Sequence, residues 1–148
     1  MDKGVYSRED IEIMSTTQLS RNSSRIQELI NFIKLSNYNK IGIACCISVF
    51  STALKLKDIL EKENLKIFLV DCKQSGLQGC DLSENLTGAL CDPISQALYF
   101  NKNNTDFNIN FGLCLGHGIL FQKYSNAPST TLLVKDACHK HNIMESFD

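Results

Sequence analysis

The chain has 148 residues, 43% of them hydrophobic and 21% charged, with a formal net charge of −1. That length fits one domain, 1–148, whose core needs no disulfide staples, and the charge balance offers no basic face for nucleic acid. No apolar run approaches a membrane span and the N-terminus lacks a secretory core, so the compartment expected is the cytoplasm, where an odd count of seven cysteines reads as free thiols, metal ligands or catalytic groups.

In chain order, residues 1–22 are polar and weakly periodic and read as a loose N-terminal arm. Ser24 and Gln27 can form a capping box, and Ile26, Leu29, Ile30 and Ile33 follow at helical spacing, which predicts a helix to about Leu35. The nearly continuous apolar run at 40–46 predicts a parallel strand covered on both faces. A helix is expected over 51–64, with Ala53, Leu56, Ile59 and Leu60 inward, and then a strand over 66–70 that delivers Asp71 and Cys72. Residues 73–90 carry Gly76, Gly79, Cys80 and Gly88 without a clear period; a loop of that length in a compact domain is more often functional than idle. Asp92 as N-cap and Pro93 at the first helical position start the next helix, which ends in the polar turn 101–104. A strand over 107–113, a helix from Gly116 to about Tyr124 and a strand over 130–134 complete the chain. There is no internal repeat.

Strand–helix alternation predicts a three-layer α/β fold with a four-stranded, mostly parallel sheet in the order 2-1-3-4, a reduced flavodoxin-like arrangement. In such sheets the binding site lies at the carboxyl ends of the strands, at the switch point between the first and third. Cys46, Cys72 and Cys114 each fall at or just past a strand end, and Cys91 starts a helix that opens onto the same edge. Four convergent thiolates suit zinc or an iron–sulfur cluster, with His117 as a fifth ligand or a base. The opposing consideration is that free cysteine often simply packs, and no paired C-x-x-C spacing is present. Cys45 points to the face opposite Cys46 and reads as core.

Cys91 and Cys114 each precede a helix N-terminus, which stabilises a thiolate and so favours ligation and nucleophilic chemistry alike. The turn from Leu113 to Gly118 matches neither a P-loop nor a dinucleotide fingerprint, so no nucleotide cofactor is expected. Lys135 and Asp136 read as groups supporting the site or as an ordinary ion pair. His139 and His141 lie in a polar tail, read as solvated, and Cys80 and Cys138 have no assigned role.

From the first strand onward the chain resembles a prokaryotic family of predicted metal-binding proteins, domain of unknown function number 1847. The resemblance rests on Lys40-Ile41-Gly42-Ile43-Ala44-Cys45-Cys46-Ile47, Cys91-Asp92-Pro93-Ile94-Ser95-Gln96-Ala97, Thr105-Asp106-Phe107-Asn108-Ile109, Gly112-Leu113-Cys114-Leu115-Gly116-His117, Lys123-Tyr124-Ser125-Asn126-Ala127-Pro128 and Thr130-Thr131-Leu132-Leu133-Val134-Lys135-Asp136. These occur in the family's order over about two-thirds of the chain. The resemblance implies Cys46, Cys72, Cys91, Cys114 and His117 as the family's candidate site, and matches His141-Asn142 to a further pair; it implies no particular reaction. The sequence departs from the family pattern at Asp71, where a second adjacent cysteine is usual, at Gly118, which replaces an acidic residue, and at Ile143, which replaces a proline. It also lacks the family's N-terminal cysteine-rich segment, so a metal-binding role here would rest on the strand-end cysteines.

The leading expectation is therefore a cytoplasmic protein that binds an iron–sulfur cluster or zinc through Cys46, Cys72, Cys91, Cys114 and His117. A cluster is favoured because ligands dispersed over a sheet that folds anyway leave a structural zinc little to do. The rival is metal-free: Cys114, activated by its helix start and by His117, attacks a small electrophile and Cys46 or Cys91 resolves the adduct. A third reading is a non-catalytic regulatory module. The partners expected are a small molecule or a redox protein, with neither nucleic acid nor membrane.

Overall fold

A computed structural model describes residues 3–148. The chain divides into two compact units, Met1–Asn39 and Lys40–Asp148.

The first unit is helical. α1 (Arg8–Ser20) starts at Ser7, whose hydroxyl accepts the Asp10 amide at 3.1 Å while the Asp10 carboxylate accepts the Ser7 amide at 2.8 Å. This reciprocal capping satisfies two of the amides that a helix start leaves without partners. The segment read as a loose arm over 1–22 is thus corrected to a helix over most of its length; residues 1 and 2 of that arm lie outside the described residues. Periodicity failed there because α1 carries its apolar residues outward: Ile11, Met14 and Leu19 are all more than half exposed. α2 (Arg25–Leu35) begins at Ser24, as its capping pattern predicts, and buries Leu29, Ile30 and Ile33.

The second unit is the α/β fold. β1 (Lys40–Cys45), α3 (Phe50–Glu61), β2 (Lys66–Asp71), α4 (Pro93–Lys102), β3 (Phe107–Phe111), α5 (Leu115–Tyr124) and β4 (Ser129–Leu133) alternate along the chain. The four strands pair in the order β2-β1-β3-β4, and every pair is parallel. The expected order is therefore observed, with the sheet wholly and not merely mostly parallel.

Right-handed crossovers put α3 on one face and α4 and α5 on the other, because the chain steps leftward from β1 and then rightward from β2 and β3. Side-chain alternation agrees. Gly42 and its register partner Asn108 point toward Phe100 of α4, and Gly118 of α5 packs against Asn110. Ile41, Ile43 and Cys45 occupy the opposite face of β1 and are completely buried. Phe100 and Phe121 meet edge to face at 6.0 Å and join α4 to α5. Among the described residues, no helix is long and apolar enough to cross a membrane.

The close approach of α4 to the sheet depends on Gly42. A Cβ there would stand 2.5 Å from the Asn108 side-chain oxygen and 2.7 Å from the Phe100 ring. Gly42→Ala is expected to destabilise the protein by about 3 kcal/mol, the upper range for overpacking a core, read as a lower urea midpoint. An unchanged midpoint would show that Phe100 and Asn108 can move aside.

Candidate functional site

Where the parallel ladder stops, its last backbone groups need new partners. The Cys46 amide donates to the Phe111 carbonyl at 3.3 Å and the Gly112 amide to the Leu133 carbonyl at 2.8 Å. Gln96 of α4, 1% exposed, donates its side-chain amide to the carbonyls of Cys45 at 3.2 Å and Val70 at 2.9 Å, joining the ends of β1 and β2. The Asp92 amide donates to the Cys72 carbonyl at 2.7 Å, so the start of α4 is held beside the end of β2. Asp92 also accepts the Ser95 amide at 2.9 Å, the N-cap bond its position predicts.

Around these bonds the four expected thiols stand in two pairs. The first pair shares one cation. The Lys135 ammonium, just beyond β4, donates to the Cys46 sulfur at 3.1 Å and to the Cys114 sulfur at 3.4 Å. The Ser48 hydroxyl, in the 3-10 turn that follows β1, donates to Cys46 at 3.1 Å. Burial pushes the Cys46 thiol up, but the Ser48 hydroxyl and amide together with the Lys135 ammonium outweigh it and hold the thiol below its ordinary value. The hydrogen bond to Cys46 reciprocally raises Lys135, burial opposes the rise, and Cys114 adds to it. Cys114 is the N-cap of α5, and its side chain makes no capping bond. It is half-buried and lines a cavity of about 260 Å³ together with Lys135, Asn110 and Gln122.

The second pair is Cys72 and Cys91, which stand close enough for Cys91 to help push the Cys72 thiol up. Cys72 is 2% exposed. Burial pushes it up to about 12; the Ile47 amide, 3.4 Å away, opposes this, while Cys91 and Cys46 add to it. Cys72 is therefore a neutral thiol at physiological pH. Cys91 is half-buried and lines a second cavity, of about 590 Å³, together with His117.

His117 thus lines the cavity that Cys91 borders, and no hydrogen bond joins it to Cys114. Lys135, expected as a group supporting the site or as half of an ion pair, has the place beside Cys114 that the nucleophile reading gave to His117. Asp136 is not its ion-pair partner. The Asp136 carboxylate faces His139 Nδ1 at 3.0 Å, and the Asp136 amide donates to His141 Nδ1 at 3.0 Å. Both histidines, read as a solvated tail, instead tie the residues after β4 around Asp136. Cys45 is wholly buried, and burial pushes it up to about 12. Cys80 and Cys138 are exposed.

A single metal or cluster held by Cys46, Cys72, Cys91, Cys114 and His117 fits this arrangement poorly. Among the described residues, no three Cys, His, Asp or Glu side chains converge as metal ligands do, and an ammonium already lies between Cys46 and Cys114.

Cys46 and Lys135 are both charged between the lowered thiol value and the raised ammonium value. Their mutual stabilisation is complete between the unfolded values of 9.0 and 10.5. It declines as pH falls from 9.0 through the lowered Cys46 value, and as pH rises through the raised Lys135 value. The ultraviolet thiolate absorbance that Cys46→Ser removes is expected to titrate below 9.0, and Lys135→Met to move that titration upward. A Cys46 that titrates at or above 9.0 in the wild type would mean that burial prevails over the cation.

Comparison with known proteins agrees with the motifs. No solved structure matches the chain. An uncharacterised protein of Methanocaldococcus jannaschii, MJ0455, is 44% identical over 124 residues, which are 80% of this chain and 64% of that protein. The chain thus spans slightly less than two-thirds of the length of this relative. The family model described as protein of unknown function DUF1847 matches residues 6–132, and the chain belongs to that family.

Proposed function

We propose that the chain carries a metal-free thiol centre that exchanges with small disulfides, with Cys114 as the attacking sulfur and Cys46 as the resolving one. The observation that carries this reading is the single Lys135 ammonium at 3.1 Å from one sulfur and 3.4 Å from the other. A cation at hydrogen-bond distance favours the thiolate, which is the nucleophilic form. Cys114 borders an open cavity, whereas Cys46 is 5% exposed, so an incoming molecule reaches Cys114 first. The Cys114 thiolate attacks one sulfur of the small disulfide; a new S–S bond forms, the old one breaks, and one small thiolate leaves. The Cys46 thiolate then attacks the Cys114 sulfur and expels the second small thiolate. The two protein thiols are oxidised to a disulfide and the small disulfide is reduced to two thiols. Lys135 holds both sulfurs near one point throughout and stabilises whichever is anionic. A reducing cytoplasm, where such thiols stay free between turnovers, is the compartment that suits this chemistry.

The second reading is the iron–sulfur cluster or zinc expected from the sequence. What favours it is that four thiols from four different elements border one sheet edge, and that a cation bound by Cys46 and Cys114 would take the position of the Lys135 ammonium.

Reduced, tag-free protein prepared without oxygen and treated with oxidised glutathione tests both. Peptide mapping is expected to find a Cys46–Cys114 disulfide. Cys46→Ser should trap glutathione on Cys114, Cys114→Ser should abolish the adduct, and Lys135→Met should slow exchange by about tenfold, as loss of a stabilising cation implies. Stoichiometric iron with sulfide, or zinc, in the same preparation, with these thiols protected from exchange, would overturn the proposal in favour of the second reading.

A further inference from the structure

Residues 73–90, expected as an unpatterned loop, are folded into a clasp. Gln78 and Ala89 form an antiparallel bridge, the Gly79 amide donates to the Gly88 carbonyl at 2.7 Å, and the Leu90 amide donates to the Leu77 carbonyl at 2.9 Å. At its base the Lys73 ammonium donates to the Ala89 carbonyl at 2.7 Å. The two limbs pass so closely that a Cβ at Gly79 would stand 2.6 Å from the Leu86 and Thr87 backbone. Ordering such a segment costs conformational entropy residue by residue, yet its leucines are not packed into a core. Leu82 is 62% exposed and Leu77 and Leu90 are only half-buried. Together with Ile94 of α4 and Leu120 of α5 they wall the cavity of about 590 Å³ that also holds Cys91 and His117.

That volume and mostly apolar lining are those of a small-molecule site, in which a few polar groups orient the ligand. The uncommitted polar groups here, Lys73 and His117, can both donate. Lys73 lines the cavity and keeps two ammonium hydrogens after its bond to Ala89, and the His117 ring has no hydrogen-bond partner among the described residues. The lining carboxylate, Asp92, is already committed to Ser75 at 2.6 Å and to the Ser95 amide at 2.9 Å. The uncommitted donors therefore face an apolar space without a free anion to meet them.

We propose that this cavity binds a small amphipathic carboxylate, its aliphatic or aromatic body among the leucines, its carboxylate at Lys73 and His117, and its bulk covering the Cys91 thiol. The site is separate from the Cys46–Lys135–Cys114 centre and stands whether or not that centre exchanges with disulfides.

Calorimetric titration of the full chain with octanoate and with 1-octanol tests it, together with peptide-resolved alkylation of Cys91. Octanoate is expected to bind saturably and to slow Cys91 alkylation while leaving Cys80 and Cys138 unaffected. Lys73→Met should weaken octanoate about tenfold, the factor expected of one charge-assisted hydrogen bond, and leave octanol unchanged. Ile94→Trp should fill the cavity and remove binding; Leu120→Trp, at a position 36% exposed and so tolerant of a larger side chain, should do the same if Ile94→Trp does not fold. Octanoate that does not saturate, or that binds the folded tryptophan variants as well as the wild type, overturns the proposal. Equal affinity for octanol and octanoate overturns the carboxylate assignment.

Discussion

Because all four strands run parallel, everything that follows a strand leaves from the same edge, and at that edge the ladder can no longer satisfy its own backbone. The chemistry described above is organised by how those groups find partners. Gln96 is central: one side-chain amide, wholly enclosed, holds the carbonyls that end β1 and β2. Its own carbonyl oxygen is buried without a partner, a cost of about 1–3 kcal/mol that the two bonds it donates must offset. With the Asp92 amide on the Cys72 carbonyl, Gln96 sets where α4 begins. It therefore also sets where Cys91 stands relative to Cys72.

Two electrostatic environments coexist within this edge, and the difference between them is a competition between burial and charge. Cys46 and Cys72 are almost equally buried. Cys46 has a hydroxyl and an ammonium at hydrogen-bond distance, and the anion is favoured. Cys72 has one backbone amide at 3.4 Å and a neighbouring thiol, which do not compensate desolvation, and the neutral form persists to about pH 12. The four strand-end cysteines are thus unlike one another: one pair is anchored to a cation, and the other pairs a neutral buried thiol with one that faces a cavity.

Lys135 is also the point on which the thiol and metal readings divide. Both require anionic sulfur at Cys46 and Cys114, and both place a positive charge between them. They differ in whether that charge is the protein's own ammonium or an exogenous cation. Asp136, His139 and His141, which also follow β4, are engaged through Asp136 instead.

Much of the fold was legible in the sequence. The apolar run at 40–46, the Asp92-Pro93 start and the strand–helix alternation determine a parallel sheet, because a strand covered on both faces and joined by helices has few other solutions. Topology then implied that Cys46, Cys72, Cys91 and Cys114 share an edge. Which thiol faces which partner was not legible, since it depends on side-chain directions at the ends of strands, where the regular alternation stops. His117 has its helical position as predicted, yet it lines the cavity that Cys91 borders and makes no hydrogen bond to Cys114. Lys135 was readable as a supporting group at the last strand end, but not as the partner of Cys46 and Cys114, which lie 89 and 21 residues away. α1 was missed because its start is written in a local Ser–Asp cap while its apolar residues face outward, and the 73–90 clasp because its closure rests mainly on backbone bonds, which leave no side-chain pattern. Local chemistry and periodicity determined the elements and their order; the pairing of thiols with a cation, with each other and with a cavity was decided only by packing in three dimensions.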